Sequence, residues 1–524
     1  MSFTGELLPY QHEAVDMMVS RKNALVAYDL GLGKTVLTIA AIERLMDGGA
    51  IEQPGLVICL SSLKYQWAAQ IEKFTSGTSK AIVIDGTPHE RKKQYADAMN
   101  WQETGVDYIV MNYEQVVNDY DFIRKLPRGF IVTDEATAIK SFKSKRSKAV
   151  KSLKSPCNFA LTGTPVENGK AEELYSIMQF VDPTVFGNWL SFENDYVVRN
   201  HFGGVQKYKN LNVMNEKLKT ACVRKRQEDP DVSPFLPETI YAEPIWVPMD
   251  RATKLLYRQI ADELLQDLDE AVHLFGNVDI FSFENSDRGG PMDELKGRLM
   301  PKLIAMRMIC DHPLLVRTSA NTYKNSKGVE GSGYAHQLLE NGKLDKLGKL
   351  PKLEVLKETV IDFLSASPKN KLVIFTSFVA MTDFIAKDLN QFEVRTYTGK
   401  MSALEKEKAK VEFQTNPNIR ILVSSDAGGY GVDLPQANML INYDLPWNAG
   451  LAAQRNGRIR RASSEWKHVY IQDILIKDSI EQRQYDMLQQ KMAVASAIVD
   501  GEGITADGGV SVSLSSLRQF LSEA

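Results

Sequence analysis

Cysteine is scarce in this chain, and its four cysteines lie too far apart to form a CxxC pair. That spacing argues against a disulfide scaffold and a zinc ribbon, and it favours a reducing, intracellular setting. The N-terminal residues lack the apolar core of a signal peptide, and no apolar run approaches the roughly 20 residues that cross a bilayer. We therefore expect an intracellular protein of the cytoplasm or nucleoid (the infected-cell cytoplasm if the source is viral), with no membrane as a partner.

An excess of either charge sign is also missing. The 63 basic and 66 acidic residues give a net charge of −3, which excludes a uniformly basic nucleic-acid coat but leaves room for a local basic groove. Hydrophobic residues make up 44% and charged residues 25%, which is typical of globular proteins rather than of disordered chains or coiled-coil rods. At about 150 residues per domain, 524 residues are enough for three or four domains.

Short β-rich runs alternate with helical stretches in the first third of the chain and again after residue 349. This alternation predicts an α/β fold with two lobes, each built on a mainly parallel sheet, and helical insertions between them. The expected strands lie at 24–27, 55–60, 81–84, 108–111, 129–132 and 158–161 in the first lobe, and at 371–375, 394–397, 420–423, 439–442 and 468–471 in the second.

The middle of the chain has a different pattern. From 166 to about 226 we predict helices without strands, and between 251 and 316 two amphipathic helices separated by a polar loop. A second polar loop is expected from about 318 to 348. The resulting domains are a first lobe at 1–240 with a helical protrusion at about 166–236, a helical insertion of the second lobe at 241–348, the second lobe at 349–500, and a tail at 501–524 with a Gly-rich connector and a short amphipathic piece.

The strongest motif is a glycine-rich turn between a strand and a helix, in AYDLGLGKTVLTIAAIERL. Gly31 and Gly33 would let backbone N–H groups approach phosphates at a helix N-terminus, where the helix dipole adds positive potential. Lys34 would contact the β- and γ-phosphates of ATP, and Thr35 would ligate Mg²⁺. One departure is visible, since the GxxxxGKT pattern has glycine where this chain has Tyr28.

An acidic pair ends an apolar strand in GFIVTDEATAIK. Asp134 would hold Mg²⁺ through water, and Glu135 would polarise the attacking water. Alone, such a pair is a common surface feature at a strand end, but here it falls in the same α/β lobe as Lys34. These residues predict an ATP-hydrolysing site with ATP and Mg²⁺ as cofactors.

With these motifs, the chain resembles the helicase-like ATPases of superfamily 2, within them the Swi/Snf-type DNA translocases, from about residue 7 to residue 521. The resemblance rests on LPYQHEAV, DLGLGKT, CLSSLKYQWAAQIEKF, TDEATAIK, LTGTP, MRMICDHPLLV and the block that begins SSDAGGYGVDLPQ. It implies two RecA-like lobes and an adenine contact by Gln11. Departures are Thr137, where the family usually has His, Ala449 in place of proline, and the altered residues 462–464.

The second lobe carries Gln454, Arg458 and Arg461 at the family's QxxxRxxR spacing. On a helix, Gln454 and Arg458 would share a face and Arg461 would follow one turn on. The resemblance assigns Gln454 to ATP and makes the two arginines candidate arginine fingers, supplied from a facing domain. On this helical phase Arg455 and Arg460 point elsewhere, and we expect replacement of Arg455 to have a mild effect.

Nucleic-acid contacts are expected from lysines and hydroxyls, which bind phosphates without reading bases. Seven basic residues and no acid lie between 140 and 154, directly after the acidic pair, although a solvated loop is an equal alternative for any single lysine there. For Trp67 we favour core packing over a backbone contact. The candidate DNA-binding residues are Ser61, Ser62, Lys64, Lys140, Ser377, Thr398, Ser424 and Ser425.

The sequence therefore predicts an ATP-driven translocase on double-stranded DNA that works as a monomer, with a directing protein partner left open. A strand-separating DNA or RNA helicase is the alternative, and a nucleotide-gated scaffold with little turnover is the third hypothesis. The chain has no obvious wedge hairpin for parting strands, which favours the translocase. Its compact length and lack of appended modules favour a bacterial or phage source.

Overall fold

The computed structural model describes residues 2–199, 205–275, 291–345, 351–426, 432–501 and 514–523. The chain forms two compact units. The first contains Met1–Val198, Gln206–Leu236 and Lys491–Gly509, and the second contains Arg199–Val205, Pro237–Gln490 and Val510–Ala524. None of the helices in the described ranges is both long enough and apolar enough to cross a membrane.

The first unit is built on a parallel seven-stranded sheet with the order β3-β4-β2-β5-β6-β1-β9. Its central strands are buried along their whole length, as expected for a sheet covered by helices on both faces. The strands up to the second unit are β1 Asn23–Tyr28, β2 Gly55–Cys59, β3 Lys80–Val83, β4 Val106–Asn112, β5 Phe130–Asp134, β6 Cys157–Leu161, β7 Val197–Arg199, β8 Val205–Tyr208 and β9 Cys222–Lys225.

Helices alternate with these strands, and several begin at side-chain caps that the sequence supplies. Thr87 and Asn112 each form a capping box, with Glu90 and Gln115 respectively. The α-helices are Gln11–Arg21, Lys34–Asp47, Lys64–Thr75, Pro88–Met99, Trp101–Thr104, Tyr113–Asn118, Tyr120–Ile123, Lys145–Ser152, Ala171–Val181, Trp189–Tyr196 and Leu211–Lys219, and short 3₁₀ turns lie at Ser61–Leu63, Ala136–Ile139 and Ser233–Phe235.

The stretch from 166 to 226 was predicted to lack strands, and this prediction is wrong. Strand β9 joins the edge of the first sheet beside β1, and β7 and β8 form a separate two-stranded sheet. All three strands are only three or four residues long and mix apolar with polar residues, so the sequence gives little sign of them. The residues that join β7 to β8, 200–204, lie outside the described residues.

The second unit has another parallel sheet, with the order β10-β16-β15-β12-β14-β13 and β11 also paired with β16. The prediction of an α/β fold with two parallel sheets is confirmed. The strands are β10 Glu238–Tyr241, β11 Ile245–Val247, β12 Leu372–Thr376, β13 Glu393–Tyr397, β14 Ile419–Ser425, β15 Met439–Asn442 and β16 His468–Ile476.

Most of the later helices bury apolar faces in one large core, whereas Ala403–Thr415 and Ala449–Asn456 contribute to two smaller clusters. The later helices are Arg251–Phe275, Pro291–Asp311, Pro313–Asn325, Gly333–Glu340, Pro351–Ala366, Val379–Asp388, Ala403–Thr415, Ala449–Asn456, Ile480–Val499 and Leu514–Glu523. The expected loop at 318–348 is wrong, because two of these helices occupy most of it and bury Ala320, Ala335 and Leu338. The polar loop expected between the amphipathic helices falls largely on 276–290, and most of the Gly-rich connector on 502–509, both outside the described residues.

The predicted domain ranges and the compact units differ at several places. Strand β10 pairs with β16, so residues 237–240 belong to the second unit rather than the first lobe. Residues 491–500 belong to the first unit, although they follow the second sheet in sequence. The amphipathic piece of the tail is a helix in the second unit, where Leu517 and Leu521 are buried.

Candidate nucleotide site and nucleic-acid contacts

The glycine-rich loop joins the end of β1 to the helix that begins at Lys34. Gly31 and Gly33 have φ values of 83° and 80°, in the left-handed region that glycine enters without steric cost. A Cβ on Gly33 would also collide with the Gln11 side chain. The loop therefore needs glycine at these positions, and it places the N-terminus of a 14-residue helix where an anion can bind.

Gln11 is brought to this loop from the first helix of the chain. Its side chain is 3% exposed, its Nε2 donates to Leu32 O at 2.9 Å, and its Oε1 accepts from Leu8 N at 2.9 Å. The predicted base-contacting residue thus lies against the phosphate loop, as an adenine-reading role requires.

Lys34 is held at the mouth of the loop by main-chain oxygens. Its ammonium donates to Tyr28 O at 2.8 Å and to Asp29 O at 3.1 Å. Position 28 is the last residue of β1, in ordinary strand conformation, and the Tyr28 hydroxyl donates to Tyr10 O at 2.8 Å in the core. Glycine is therefore not needed there, which explains how the departure from the GxxxxGKT pattern is accommodated. Thr35 follows in the first turn of the helix.

Asp134 ends β5 and is 7% exposed. Its Oδ2 accepts from the Trp67 indole at 2.8 Å, and its Oδ1 accepts from Glu135 N at 2.9 Å. Burial raises the pKa of the Asp134 carboxyl, against the smaller opposing effects of the Trp67 hydrogen bond and the Lys34 charge. Trp67 is buried in the core as predicted, but it also orients Asp134, a role that the sequence did not reveal.

Glu135 has a φ of 50°, which is uncommon for a residue with a side chain. The turn follows the strand end directly and leads into the 3₁₀ helix that contains Thr137. The Tyr113 hydroxyl donates to Asp134 O at 2.7 Å and fixes the same corner. Strained backbone of this kind is frequent at functional sites.

The donor set fits Mg²⁺. Asp134 presents a buried carboxylate whose two described hydrogen bonds come from neutral groups, and Thr35, in the first turn of the helix after the loop, carries a hydroxyl that would supply a further oxygen. Mg²⁺ prefers such oxygen ligands and keeps several of its waters. A divalent cation would also offset the cost of burying the Asp134 charge, which is why the residues present suit the metal.

Gln454 and the two predicted arginine fingers lie around the end of the helix Ala449–Asn456 in the second unit. The prediction that they share one helix is wrong, because the helix ends at Asn456 and Gly457 caps it. Arg458 and Arg461 therefore lie in the turn that follows, and Arg458 Nη1 donates to Val432 O at 3.5 Å. Arg461 pairs with Asp433 at 2.5 Å, but within the described part of the chain its buried Nε and Nη1 have no hydrogen-bond partner.

Replacement of Arg455 was expected to have a mild effect, and the surroundings of its side chain argue against this. Its side chain is 1% exposed and forms ion pairs with Asp426 at 2.6 Å and Asp444 at 3.3 Å. It also donates to Ser377 Oγ at 3.1 Å. Removing the guanidinium would leave two carboxylates without their main counter-charge, so Arg455 is a structural hub of the second unit.

The predicted DNA-binding residues of the first unit separate into exposed and buried groups. Ser61 and Ser62 are exposed just after β2. Lys64 is 2% exposed and donates to Ile84 O and Asp85 Oδ1, so it does not fit a phosphate contact and we leave it out of the interface. Lys140 forms an ion pair with Glu167.

The rest of the basic segment forms part of the helix Lys145–Ser152 and its flanks. Lys151 is directed inward, where it donates to Ser176 Oγ at 2.6 Å and where burial lowers its pKa to about 8. Arg146 pairs with Glu114 at 2.6 Å. The remaining lysines are exposed and suited to phosphates: Lys143, Lys145, Lys148 and Lys154.

The hydroxyls of the second unit are mostly internal. Ser424 and Ser425 are 0% and 1% exposed at the end of β14, and Thr398 is 7% exposed. Ser377 is partly exposed and accepts from Arg455 and Arg307. The side chains of Ser424 and Ser425 do not reach the protein surface, where a DNA backbone would lie, so a structural role fits them better than a DNA contact.

Comparisons with known proteins agree with this geometry. The chain is 25% identical over 508 residues to YwqA of Bacillus subtilis, named a candidate ATP-dependent helicase/translocase, covering 96% of the chain and 50% of that protein. It is 25% identical over 511 residues to the ATP-dependent DNA helicase DDM1 of Arabidopsis thaliana, covering 95% of the chain and 62% of that protein. The chain thus spans between half and two thirds of the length of these two relatives.

The crystal structure of the Hef helicase domain of Pyrococcus furiosus matches with a TM-score of 0.50 at 16% identity, covering 91% of the chain and 97% of the domain, which supports the fold. The family model for the Helicase conserved C-terminal domain matches residues 351–463. The model for the SNF2-related domain matches residues 10–315, more than half of the chain, and the chain therefore belongs to the SNF2-related family.

Proposed function

We propose that the chain is an ATP-dependent translocase on double-stranded DNA. The observation that carries the proposal is the joint placement of the Lys34 loop and the Asp134–Glu135 pair. Strands β1 and β5 are separated only by β6, and all three are parallel. Their carboxyl ends therefore meet at one edge of the sheet, where open α/β sheets bind ligands.

Each residue at this edge has a role in phosphoryl transfer. The Lys34 ammonium would bind the β- and γ-phosphates, while the loop amides surround the phosphate chain. Mg²⁺, held by Thr35 and Asp134, would supply charge that neutralises the phosphate oxygens. The Glu135 carboxylate would orient the attacking water and accept its proton. Trp67 would keep the Asp134 carboxylate in position through its indole N–H.

Arg458 and Arg461, which belong to the second unit, are proposed to act as arginine fingers on the transferred phosphoryl group. Arg461 supports this role because two of its buried guanidinium nitrogens have no hydrogen-bond partner among the described residues. An arginine in this state has donors available for an anion such as a phosphoryl group.

The DNA contacts are proposed to come from exposed groups of the first unit, Ser61 and Ser62 together with Lys143, Lys145, Lys148 and Lys154. Hydroxyls and lysines bind phosphate oxygens irrespective of base sequence, so affinity should fall steeply with salt and depend little on sequence. We further propose that the motor is monomeric and intracellular, and that any choice of target comes from a protein partner.

The test is ATP hydrolysis by the full chain with duplex DNA, single-stranded DNA or RNA. The proposal expects strong stimulation by duplex DNA and none by RNA. ATP should also drive displacement of the third strand from a DNA triplex, while a forked duplex stays paired. Efficient fork unwinding without triplex displacement would contradict the translocase.

Strand separation is the second candidate function, and one observation favours it. The chain has a two-stranded sheet, β7–β8, where the sequence suggested no hairpin. A two-stranded element can act as a wedge between nucleic-acid strands, so β7–β8 is the element that a helicase activity would use. Fork unwinding that is lost when residues 197–208 are replaced by a short Gly/Ser linker would establish that function.

A further inference from the structure

Arg224 lies beside the residues that begin the phosphate loop. It belongs to β9, whose register with β1 sets Ala27 opposite Arg224 and Tyr28 opposite Lys225. Its Nη1 donates to Ala27 O at 2.9 Å and to Asp29 Oδ1 at 2.5 Å. Arg224 therefore fixes both the end of β1, through Ala27, and the start of the loop, through Asp29.

Gln227 extends this hold. Its backbone N donates to Asp29 Oδ2 at 3.1 Å, and its side-chain Nε2 donates to Leu30 O at 2.6 Å. The main-chain oxygen of Asp29 meanwhile accepts from the Lys34 ammonium at 3.1 Å. Asp29 thus links the phosphate-binding lysine on one side to Arg224 and Gln227 on the other.

The contact between Arg224 and Asp29 also affects the electrostatics of the loop, because Asp29 is negatively charged. A carboxylate two residues before Gly31 lies close to the place where the negative phosphates of ATP would bind, and like charges repel. The Arg224 guanidinium supplies the opposite charge directly on the Asp29 carboxylate. Without it, the loop would meet its anionic ligand with an uncompensated negative charge at its base.

A second carboxylate shares the same guanidinium. Arg224 Nε donates to Asp500 Oδ1 at 2.8 Å, and Asp500 is 11% exposed. Asp500 follows the helix Ile480–Val499, and residues 491–500 belong to the first unit. The Asn215 side chain donates to Val499 O at 2.7 Å, so two contacts fix the end of this helix beside β9.

We infer that Arg224 is a positioning residue for the nucleotide loop and that Asp500, by holding the other edge of its guanidinium, makes the end of the helix Ile480–Val499 part of the ATP-binding apparatus. This inference rests on the proposed nucleotide site. It concerns how tightly ATP is bound rather than how fast the phosphoryl group is transferred, because neither side chain contacts the groups assigned to the chemical step.

The experiment measures the dissociation constant of a fluorescent ATP analogue with Mg²⁺, and kcat at saturating ATP and duplex DNA, in the full chain. Arg224→Gln should weaken ATP binding about tenfold, in line with loss of a charged hydrogen bond, while kcat changes by less than about twofold. Asp500→Ala should weaken binding by about threefold through the same residue, so the double variant should be no weaker than Arg224→Gln alone.

Charge compensation has its own test. Asp29→Asn removes the carboxylate that Arg224 neutralises, so adding it to Arg224→Gln should restore most of the lost affinity. Arg224→Lys, which keeps the charge but not the fork, should fall between wild type and Arg224→Gln. The controls are Arg124→Gln, in an exposed ion pair of the first unit, and Asp486→Ala, an exposed acid on the helix Ile480–Val499, and neither should change ATP affinity.

The outcomes separate the two proposals. If wild type does not bind ATP, or if Lys34→Ala binds it equally well, the proposed nucleotide site fails. If wild type binds ATP and Arg224→Gln or Asp500→Ala shifts only the melting temperature, with unchanged ATP affinity, the positioning role is wrong and the proposed function stands. Should Arg224→Gln fail to fold, Arg224→Lys and Asp500→Ala decide the question alone.

Discussion

Two buried aspartates, one in each unit, lie at the carboxyl edge of a parallel sheet but have opposite surroundings. Asp134 ends β5 and accepts hydrogen bonds from an indole and a backbone amide, both neutral. Asp444 follows β15 and accepts from Thr376 and Ser377, and it is paired with Arg455. Burial raises the pKa of Asp134, whereas at Asp444 the charges of Arg455 and Arg307 outweigh the effect of burial and lower the pKa.

The difference separates a site prepared for a ligand from one that is complete by itself. At Asp444 the protein supplies the counter-charge, so the cluster stabilises the second unit and needs nothing further. At Asp134 the negative charge is buried with only neutral groups bound to it, which costs folding free energy unless a cation arrives. The first sheet edge is therefore the better candidate for chemistry, and the second for structure.

The largest expected effect is on ATP turnover, at the edge of the first sheet that holds Asp134. Lys34→Ala should abolish ATP turnover because the γ-phosphate loses its charge partner, and Glu135→Gln should bind ATP but not hydrolyse it. Phosphate release and binding of a fluorescent ATP analogue measure the two steps separately. Arg44→Gln, in an exposed ion pair on the same helix as Lys34, is the control. Turnover by Glu135→Gln at the wild-type rate would show that Glu135 does not orient the attacking water.

Replacing Arg455, beside Asp444 at the edge of the second sheet, should lower the stability of the protein. Arg455→Ala leaves Asp426 and Asp444 without their main counter-charge, and we expect a loss of about 3–5 kcal/mol in the free energy of unfolding, measured in urea. Arg483→Ala, on a helix of the same unit, is a control that should change stability by less than about 0.5 kcal/mol. A small effect of Arg455→Ala would show that the two edges do not differ as described.

Asp134→Asn should have the opposite effect on stability. The asparagine carbonyl can still accept from Trp67, while the buried charge disappears, so the free energy of unfolding without Mg²⁺ should stay unchanged or rise by up to about 1 kcal/mol, with turnover lost. A clear loss of stability on this replacement would contradict the interpretation that the buried Asp134 charge destabilises the folded state.

The pH dependence sharpens the same contrast. The folded-state pKa of Asp134 is raised above its unfolded value of about 3.9, so the stability it contributes is present below that value and is lost as pH rises through the folded-state pKa. The stability of Asp134→Asn relative to wild type should therefore grow from about pH 4 towards neutrality. Urea unfolding at several pH values measures it, and a constant difference would refute the assignment.

The smallest expected effects come from two lysines, one exposed and available to a ligand and the other buried in an ion pair. Lys148 is exposed, whereas Lys64 is buried against Asp85. Lys148→Gln should weaken DNA binding equally for all sequences and reduce the slope of log affinity against log salt by about 1. Lys64→Met should change stability and leave that slope as it is. Filter binding between 50 and 200 mM salt distinguishes them, and equal slopes for the two variants would place the interface elsewhere.

The sequence predicted the parts of this molecule whose signals are local. Strands such as β2, β5 and β12 are continuous apolar runs, and the GKT turn between a strand and a helix needs only adjacent residues. Features that depend on distant partners were not predicted. Arg455 is 29 residues from Asp426 and Trp67 is 67 from Asp134, and β9 is a strand only because β1 is beside it. The end of the helix at Asn456, one residue before Gly457, moved Arg458 and Arg461 off the expected helical face.

The hydrogen bond between Gln11 and Leu32 has a consequence for nucleotide selectivity. If Gln11 reads the adenine base, it has to exchange its present bonds to Leu32 O and Leu8 N for bonds to the base. Discrimination between ATP and GTP then depends on the difference between two sets of similar hydrogen bonds, a net of roughly 1 kcal/mol, rather than on the full value of a new one. We therefore expect the site to bind ATP more tightly than GTP by only about tenfold or less.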